Sequence, residues 1–198
     1  MIDLISTFIT IFVLIPILYF TSQNFDNIFA LIVLILISIP TVMAMVNGAP
    51  FVPTPMYRVK KMVAMAKIKK GQRVYDIGCG DGRFVYIAAN EYGANATGIE
   101  LSPIVYLLAL VRKLFWKSKA QIRYANFKHC DLSDADIIFC YLLPESLEKI
   151  QPDLDKQFKK GTRIYSYAFK IPGWKLIETE ERDKQLNLAP VFVYEKIK

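Results

Sequence analysis

Ten consecutive residues, Val74-Tyr75-Asp76-Ile77-Gly78-Cys79-Gly80-Asp81-Gly82-Arg83, constrain the fold more than any other stretch of the chain. A short apolar run gives way to three glycines at alternate positions, and a helix-periodic segment follows. Glycine permits a backbone with φ > 0 and close approach of a ligand. At the end of a strand in an open α/β sheet, such a bend is where small ligands bind. The residues around it keep the same rhythm. Thr54-Pro55 reads as an N-cap with proline at the first helical position, and Met56, Val59, Val63 and Ala66 line one face of a helix closed by Gly71. Strands are expected at 73–77, 96–100, 121–127, 135–142 and 163–169. Helices are expected at 84–92, 102–116 and 145–158. Alternation of this kind implies an α/β fold with a mostly parallel sheet covered on both faces. Lys170–Gly173 is too short for a parallel crossover, so 174–181 and 189–196 read as an antiparallel addition at the C-terminal edge.

The spacing of the bend narrows its ligand. A dinucleotide loop, G-x-G-x-x-G, needs glycine at position 83, which is Arg83, and no Gly-Lys-Ser/Thr follows to make a phosphate loop. Carboxylates at Asp76 and Asp81 repel a pyrophosphate and attract a ligand carrying an ammonium and a sulfonium. That is the charge pattern of S-adenosylmethionine. Glu100 falls 22 residues after Gly78, at the end of the next predicted strand, where an acid can accept both ribose hydroxyls of an adenosine.

The N-terminal quarter has another character. Residues 1–50 hold only two charges, Asp3 and Asp26, so the net charge of +7 divides into −2 for them and +9 for the rest. Two apolar runs, about 4–22 and 27–46, flank a short polar turn, and each has the roughly 20 residues a spanning helix needs. The expectation is a two-helix transmembrane hairpin over 1–50 followed by a single domain over 51–198. Arg58, Lys60, Lys61, Lys67, Lys69, Lys70 and Arg73 follow with no acid up to Tyr75, which places the domain and both termini on the cytoplasmic side. Cys79, Cys130 and Cys140 form no C-x-x-C pair, and His129 is the single histidine, so neither a disulfide framework nor a metal centre is indicated.

The chain resembles class I S-adenosylmethionine-dependent methyltransferases. More narrowly, it resembles the membrane-anchored protein-lysine methyltransferases of the adenine nucleotide translocase and the ATP synthase c-subunit, with their prokaryotic relatives. The resemblance rests on Pro50-Phe51-Val52-Pro53-Thr54-Pro55, the Asp76–Gly82 loop, Gly98–Pro103, and Asp131–Ala135 followed by Tyr141-Leu142-Leu143-Pro144-Glu145. It implies a Rossmann-like, doubly wound sheet. It also implies that Asp76, Gly78 and Gly80 cradle the methionine part of the cofactor and that Glu100 holds the ribose, with Cys79, Gly82 and Leu101 also among the cofactor-binding residues. Asn126 and Phe127 would face the adenine, with Asn126 standing where the family has an Asp. Phe51 and Thr54 would belong to a lid, and Tyr141 and Glu145 would border the acceptor. The C-terminal edge departs most from a full seven-stranded methyltransferase sheet.

Several of these residues carry two readings. Glu145 suits orientation or deprotonation of an acceptor amine, and equally the first turn of a helix, where an acid complements the dipole. Tyr141 is an acceptor-site wall or a strand-end aromatic. Asp131, Asp134 and His129 read as loop residues. Helix 102–116 is apolar almost all round; it is either largely buried against the sheet or has Phe115 and Trp116 at a bilayer surface. The reading as a whole is a membrane-anchored methyltransferase acting on a lysine of a membrane-associated protein. The rivals are methylation of a lipid-soluble small molecule such as a quinone or lipid precursor, and a non-catalytic cofactor-binding scaffold. Nucleic acid as acceptor is disfavoured, because Tyr141-Leu142-Leu143-Pro144 replaces the Asn/Asp-Pro-Pro-Tyr/Phe motif for base amines.

Overall fold

The structure, a computed structural model, describes residues 51–196 and, upstream, the helical positions Ile32, Ile35, Leu36, Ser38, Ile39 and Val42. Apart from those positions, the hairpin expected over 1–50 lies outside the described residues. Among the described residues, no helix is long and apolar enough to cross a membrane.

The elements run α1 (Met56–Met65), β1 (Arg73–Ile77), α2 (Arg83–Tyr92), β2 (Asn95–Glu100), α3 (Pro103–Phe115) and β3 (Gln121–Tyr124). A 3₁₀ turn (Phe127–His129) precedes β4 (Ile137–Cys140), α4 (Pro144–Gln157), β5 (Arg163–Tyr167), β6 (Leu176–Glu180) and β7 (Val191–Glu195). Seven strands form one sheet in the order β3-β2-β1-β4-β5-β7-β6. The first five are parallel, and β7 runs antiparallel between β5 and β6. The sheet is therefore mostly parallel with an antiparallel C-terminal edge.

Side-chain alternation along the strands divides the core in two. In β4, Ile137 and Phe139 join Val59, Met62, Val63, Phe84, Val85 and Tyr165 on one face, beneath α1 and α2. Ile138 and Cys140 join Tyr75, Ile77 and Ile164 on the other, beneath Leu147, Ile150 and Leu154 of α4. Burying each such side chain contributes about 1.5–3 kcal/mol. Helix α3 lies beside α2, where the Tyr86 hydroxyl donates to the Ala109 carbonyl at 2.6 Å.

Three local expectations change. Pro55, not Thr54, occupies the N-cap of α1, and no side chain caps it; the Thr54 carbonyl is held instead by Arg83 of α2. The strand expected over 121–127 stops at Tyr124, because the Asn126 side chain accepts the Lys128 N–H at 3.1 Å and turns the chain into the 3₁₀ segment. The C-terminal edge completes seven strands rather than departing from them: Tyr194 of β7 extends its hydroxyl to accept the Ile171 N–H at 2.9 Å, and this fixes the short return from β5.

Candidate functional site

The chain leaves β1 for β2 and β3 on one side, then returns to β4 on the other. This reversal opens a crevice at the C-terminal ends of β1 and β4, where open α/β sheets take their ligands. Residues 78–82 form the bend that lines it. The Gly78 and Cys79 N–H groups both donate to the Ile99 carbonyl, at 2.9 and 3.0 Å, and so tie the bend to β2. At Gly80 the backbone has φ +57, and the Phe51 ring lies against the bare Cα; an added Cβ would sit 2.7 Å from Phe51 Cε2. The expected lid residue and the expected loop glycine are thus in contact.

Glu100 is the junction of the site. Its Oε2 accepts the Gly80 N–H at 3.0 Å and its Oε1 accepts the Ser102 N–H at 2.8 Å, so one carboxylate spans the bend and the start of α3. Burial pushes its pKa up, opposed by the N–H groups of Ser102, Gly80 and Leu101. A carboxylate has about four lone-pair positions, so these N–H groups leave acceptor capacity for a sugar hydroxyl. Cys79 is buried against Gly98 of β2; burial, with Asp76, Glu100 and Asp81 nearby, raises its thiol pKa, so it is a packing residue and not a nucleophile.

Asp76 is buried at the end of β1, and its carboxyl is held well above the usual carboxylate range. Desolvation is the main cause; Glu100 and Asp81, both acids, add to it. A buried acid facing other acids is a receptor for a cation. Asp81 does not share that role, contrary to the sequence reading. Its oxygens are taken by Arg83, whose Nε donates at 2.8 Å, and by Arg112 of α3 at 2.6 Å. Arg83 and Arg112 were missed as site residues; the Asp-x-Arg spacing of 81–83 carried the signal for the first, and no local signal existed for the second.

These features fit S-adenosylmethionine. Asp76 is a buried acid without a cation partner among the described residues, one that an ammonium or sulfonium would complement, and Glu100 has acceptor capacity that a ribose hydroxyl would use. Asn126 lies half-buried at the turn after β3, with one oxygen lone pair used by Lys128 and one left. Phe127 is buried in the core with Tyr75 and Ile77. Leu101 is half-buried beside Glu100, and Thr54 is buried with its carbonyl held by Arg83.

Beyond β4, Tyr141 is half-buried and packs edge-on to Tyr167 (centroids 4.8 Å apart) and parallel to Phe169 (6.2 Å). Burial, then Tyr167, raises the Tyr141 pKa. The guanidinium of buried Arg58 lies 5.9 Å from the Tyr167 ring centre, and none of its nitrogens has a hydrogen-bond partner. Glu145 is exposed in the first turn of α4. Among the described residues, no cluster of His, Cys, Asp and Glu is arranged to hold a metal ion.

Comparison with known proteins identifies the family and the fold. The profile of the ANTKMT methyltransferase domain matches residues 76–178. A protein-lysine N-methyltransferase of Saccharolobus islandicus is 38% identical over 135 residues, 67% of this chain and 84% of that protein. The Mus musculus lysine N-methyltransferase of the ATP synthase c-subunit is 29% identical over 63% of this chain, which spans about half (51%) of its length. An RNA methyltransferase of Salinibacter ruber, solved with S-adenosyl-L-homocysteine, superposes with a TM-score of 0.68 at 30% identity, covering 74% of this chain and 95% of that one. The chain is an S-adenosylmethionine-dependent methyltransferase and belongs to the family of the ANTKMT methyltransferase domain.

Proposed function

We propose that the chain methylates the side-chain amine of a lysine on a membrane-associated protein, and that residues 1–50 tether it to the bilayer as two spanning helices with the domain and both termini cytoplasmic. The observation that carries the amine acceptor is the wall of Tyr141, Tyr167 and Phe169 at the ends of β4 and β5. Aromatic faces attract ammonium groups, and they tolerate the apolar surface that each added methyl brings. The Saccharolobus relative is a protein-lysine methyltransferase by name, and the mouse relative's name specifies the ATP synthase c-subunit. Tethering supports the membrane-held acceptor physically, since it raises the effective concentration of one against the other.

When bound, S-adenosylmethionine supplies a methyl group on a positively charged sulfur. Residues 78–82 and Glu100 fix its orientation, and the chief contribution of the protein to an in-line displacement is alignment. A lysine ammonium has no lone pair and must first lose a proton. The aromatic wall desolvates the amine and so lowers its pKa, and Glu145, at the same end of the sheet as Tyr141, accepts the proton and releases it to solvent. The amine lone pair then forms the N–C bond as the C–S bond breaks, with the electron pair staying on sulfur.

Membranes holding the full chain, incubated with methyl-labelled S-adenosylmethionine and compared with Gly80→Arg, test the reading. Label should enter protein, be recovered as methyl-lysine after hydrolysis, and be lost in the variant. Label in lipid or RNA alone overturns it. Glu145→Gln should lower kcat by about a hundredfold, the scale of general-base assistance.

A further inference from the structure

Helix α3 presents an apolar stripe that no described residue covers. Ile104, Leu107, Leu108, Val111, Leu114 and Phe115 are all exposed, the last two by 77% and 82%, and Ala109 is the helix's single buried residue. Their spacing, i, i+3, i+4, i+7, i+10 and i+11, puts them on one face. Of the two readings of this helix, burial against the sheet is therefore set aside; Phe115 is on the open face, whereas Trp116 is half-buried against Tyr86. Tyr124, on the neighbouring edge strand β3, is also exposed and packs against Tyr106 of α3. Soluble monomers rarely leave an apolar patch of this kind open to water.

The charge around the stripe identifies what covers it. From Leu101 to Cys130 there is no acid, but there are six cations: Arg112, Lys113, Lys117, Lys119, Arg123 and Lys128. Arg112 is held by Asp81; the other five form no salt bridge among the described residues. A second copy of the chain would set these cations against their own kind. A nucleic acid would answer the cations but leave the aliphatic stripe in water. An anionic bilayer answers both, since its headgroups meet the lysines and its acyl boundary receives the leucines and phenylalanine.

We propose that α3, with the adjoining edge of β3, docks on the surface of an anionic membrane, with Leu107, Val111, Leu114 and Phe115 below the headgroups and Lys113, Lys117 and Lys119 among them. This contact is separate from any spanning segment in residues 1–50, and it does not depend on the identity of the methyl acceptor. It lays the helix that carries Arg112, and hence the rim of the cofactor crevice, close to the lipid.

The test uses the full chain in vesicles of phosphatidylglycerol and phosphatidylcholine in equal parts, with a nitroxide on Leu114→Cys. A reference label on Glu148→Cys sits on α4, across the sheet. Electron paramagnetic resonance then measures collisions with oxygen, which enters lipid, and with a water-soluble nickel complex. Docking predicts that the ratio of oxygen to nickel collisions at position 114 rises severalfold above that at position 148. Changing Lys113, Lys117 and Lys119 together to Gln should lower the ratio of docked to undocked protein on the order of a hundredfold, from about 1 kcal/mol per charge at such a surface. A label at 114 as open to nickel as the one at 148 overturns the proposal. So does a label shielded from both probes, which places protein on the stripe: a second copy, or residues 1–50. Docking unchanged in the triple variant overturns the anionic-lipid assignment.

Discussion

Gly98 to Ala is the change whose consequence follows most directly from the geometry. Gly98 lies mid-strand in β2, paired with Asp76 of β1 on one side and Ile122 of β3 on the other. A Cβ there would sit 2.7 Å from Cys79 Sγ, 2.8 Å from Cys79 Cβ and 3.1 Å from Ile122 Cδ1. Carbon contacts relax at about 3.5–4.0 Å, so the neighbours must retreat by about 1 Å. Strand β2 cannot move away, because it is hydrogen-bonded on both edges. The glycine bend must move instead. Overpacking of this kind costs about 1–3 kcal/mol, and for a chain of this size each kcal/mol lowers Tm by about 2–4 °C. A fall of roughly 2–12 °C in a thermal melt of the full chain is expected. The next N–H along the bend, that of Gly80, donates to Glu100, and loss of one hydrogen bond to a charged group is worth about 1.5–3 kcal/mol. Calorimetry should therefore show S-adenosyl-L-homocysteine binding roughly 10- to 100-fold more weakly. Adding Cys79→Gly to Gly98→Ala removes the obstructing side chain and should restore most of both losses. Unchanged melting and affinity in Gly98→Ala, or a Cys79→Gly change that merely adds its own loss, would refute the packing argument.

Glu100→Gln keeps one acceptor but turns an N–H donor toward a backbone donor at Gly80 or Ser102; cofactor affinity by calorimetry should fall about 10- to 100-fold, from one charge-assisted bond of about 1.5–3 kcal/mol. Asp76 has a raised folded-state pKa, so the folded chain binds more protons than the unfolded one above the ordinary carboxylate value, and stability is lost as pH rises through that window. Asp76→Asn should accordingly raise the ligand-free Tm at neutral pH and flatten its decline from acid pH, while cofactor affinity falls; a lower Tm at neutral pH counts against the argument. Arg58 is fully buried, none of its guanidinium nitrogens has a hydrogen-bond partner, and Glu180 stands 3.9 Å away with Lys61 as its nearer counterion. Arg58→Met therefore leaves no unpaired acid behind and should be neutral or stabilising by about 1–4 kcal/mol, read as an unchanged or higher Tm.

What the sequence disclosed was whatever local chemistry dictates. The bend at 78–82 and the acid at Glu100 were legible because glycine spacing and strand-end position are local facts, and so was the alternation that made the first five strands parallel. Asp81 was misread because one of its two partners is remote: Arg83 is two positions on, but an acid beside a glycine looks alike whether it faces a ligand or Arg112, which lies 31 positions away. The end of β3 moved because Asn126, read as an adenine contact, also has a backbone N–H two residues ahead within reach of its side chain. Helix α3 stayed between two readings, buried against the sheet or open to a bilayer, since a helix apolar all round reads the same whether its outer face meets protein or lipid. The order of the last strands depended on which edge β7 could reach, and short strands of similar pattern do not encode that.

Asp81 also explains why the crevice and the apolar helix cannot be considered apart. Arg83, at the start of α2, holds Asp81 and donates to the carbonyl of Thr54 in the segment that brings Phe51 over Gly80. Arg112, in the last turn of α3, holds the same carboxylate. One buried acid thus joins the lid segment, the glycine bend and the exposed helix. Removing Asp81 leaves both arginines without their acid, a loss on the order of 3–5 kcal/mol for a buried pair, so the three elements hold one arrangement together. If docking of α3 on a bilayer strengthens the Arg112–Asp81 pair, it should also strengthen cofactor binding at the bend. Linkage makes this reciprocal: the factor by which anionic vesicles strengthen S-adenosyl-L-homocysteine binding is the factor by which that ligand strengthens docking of α3.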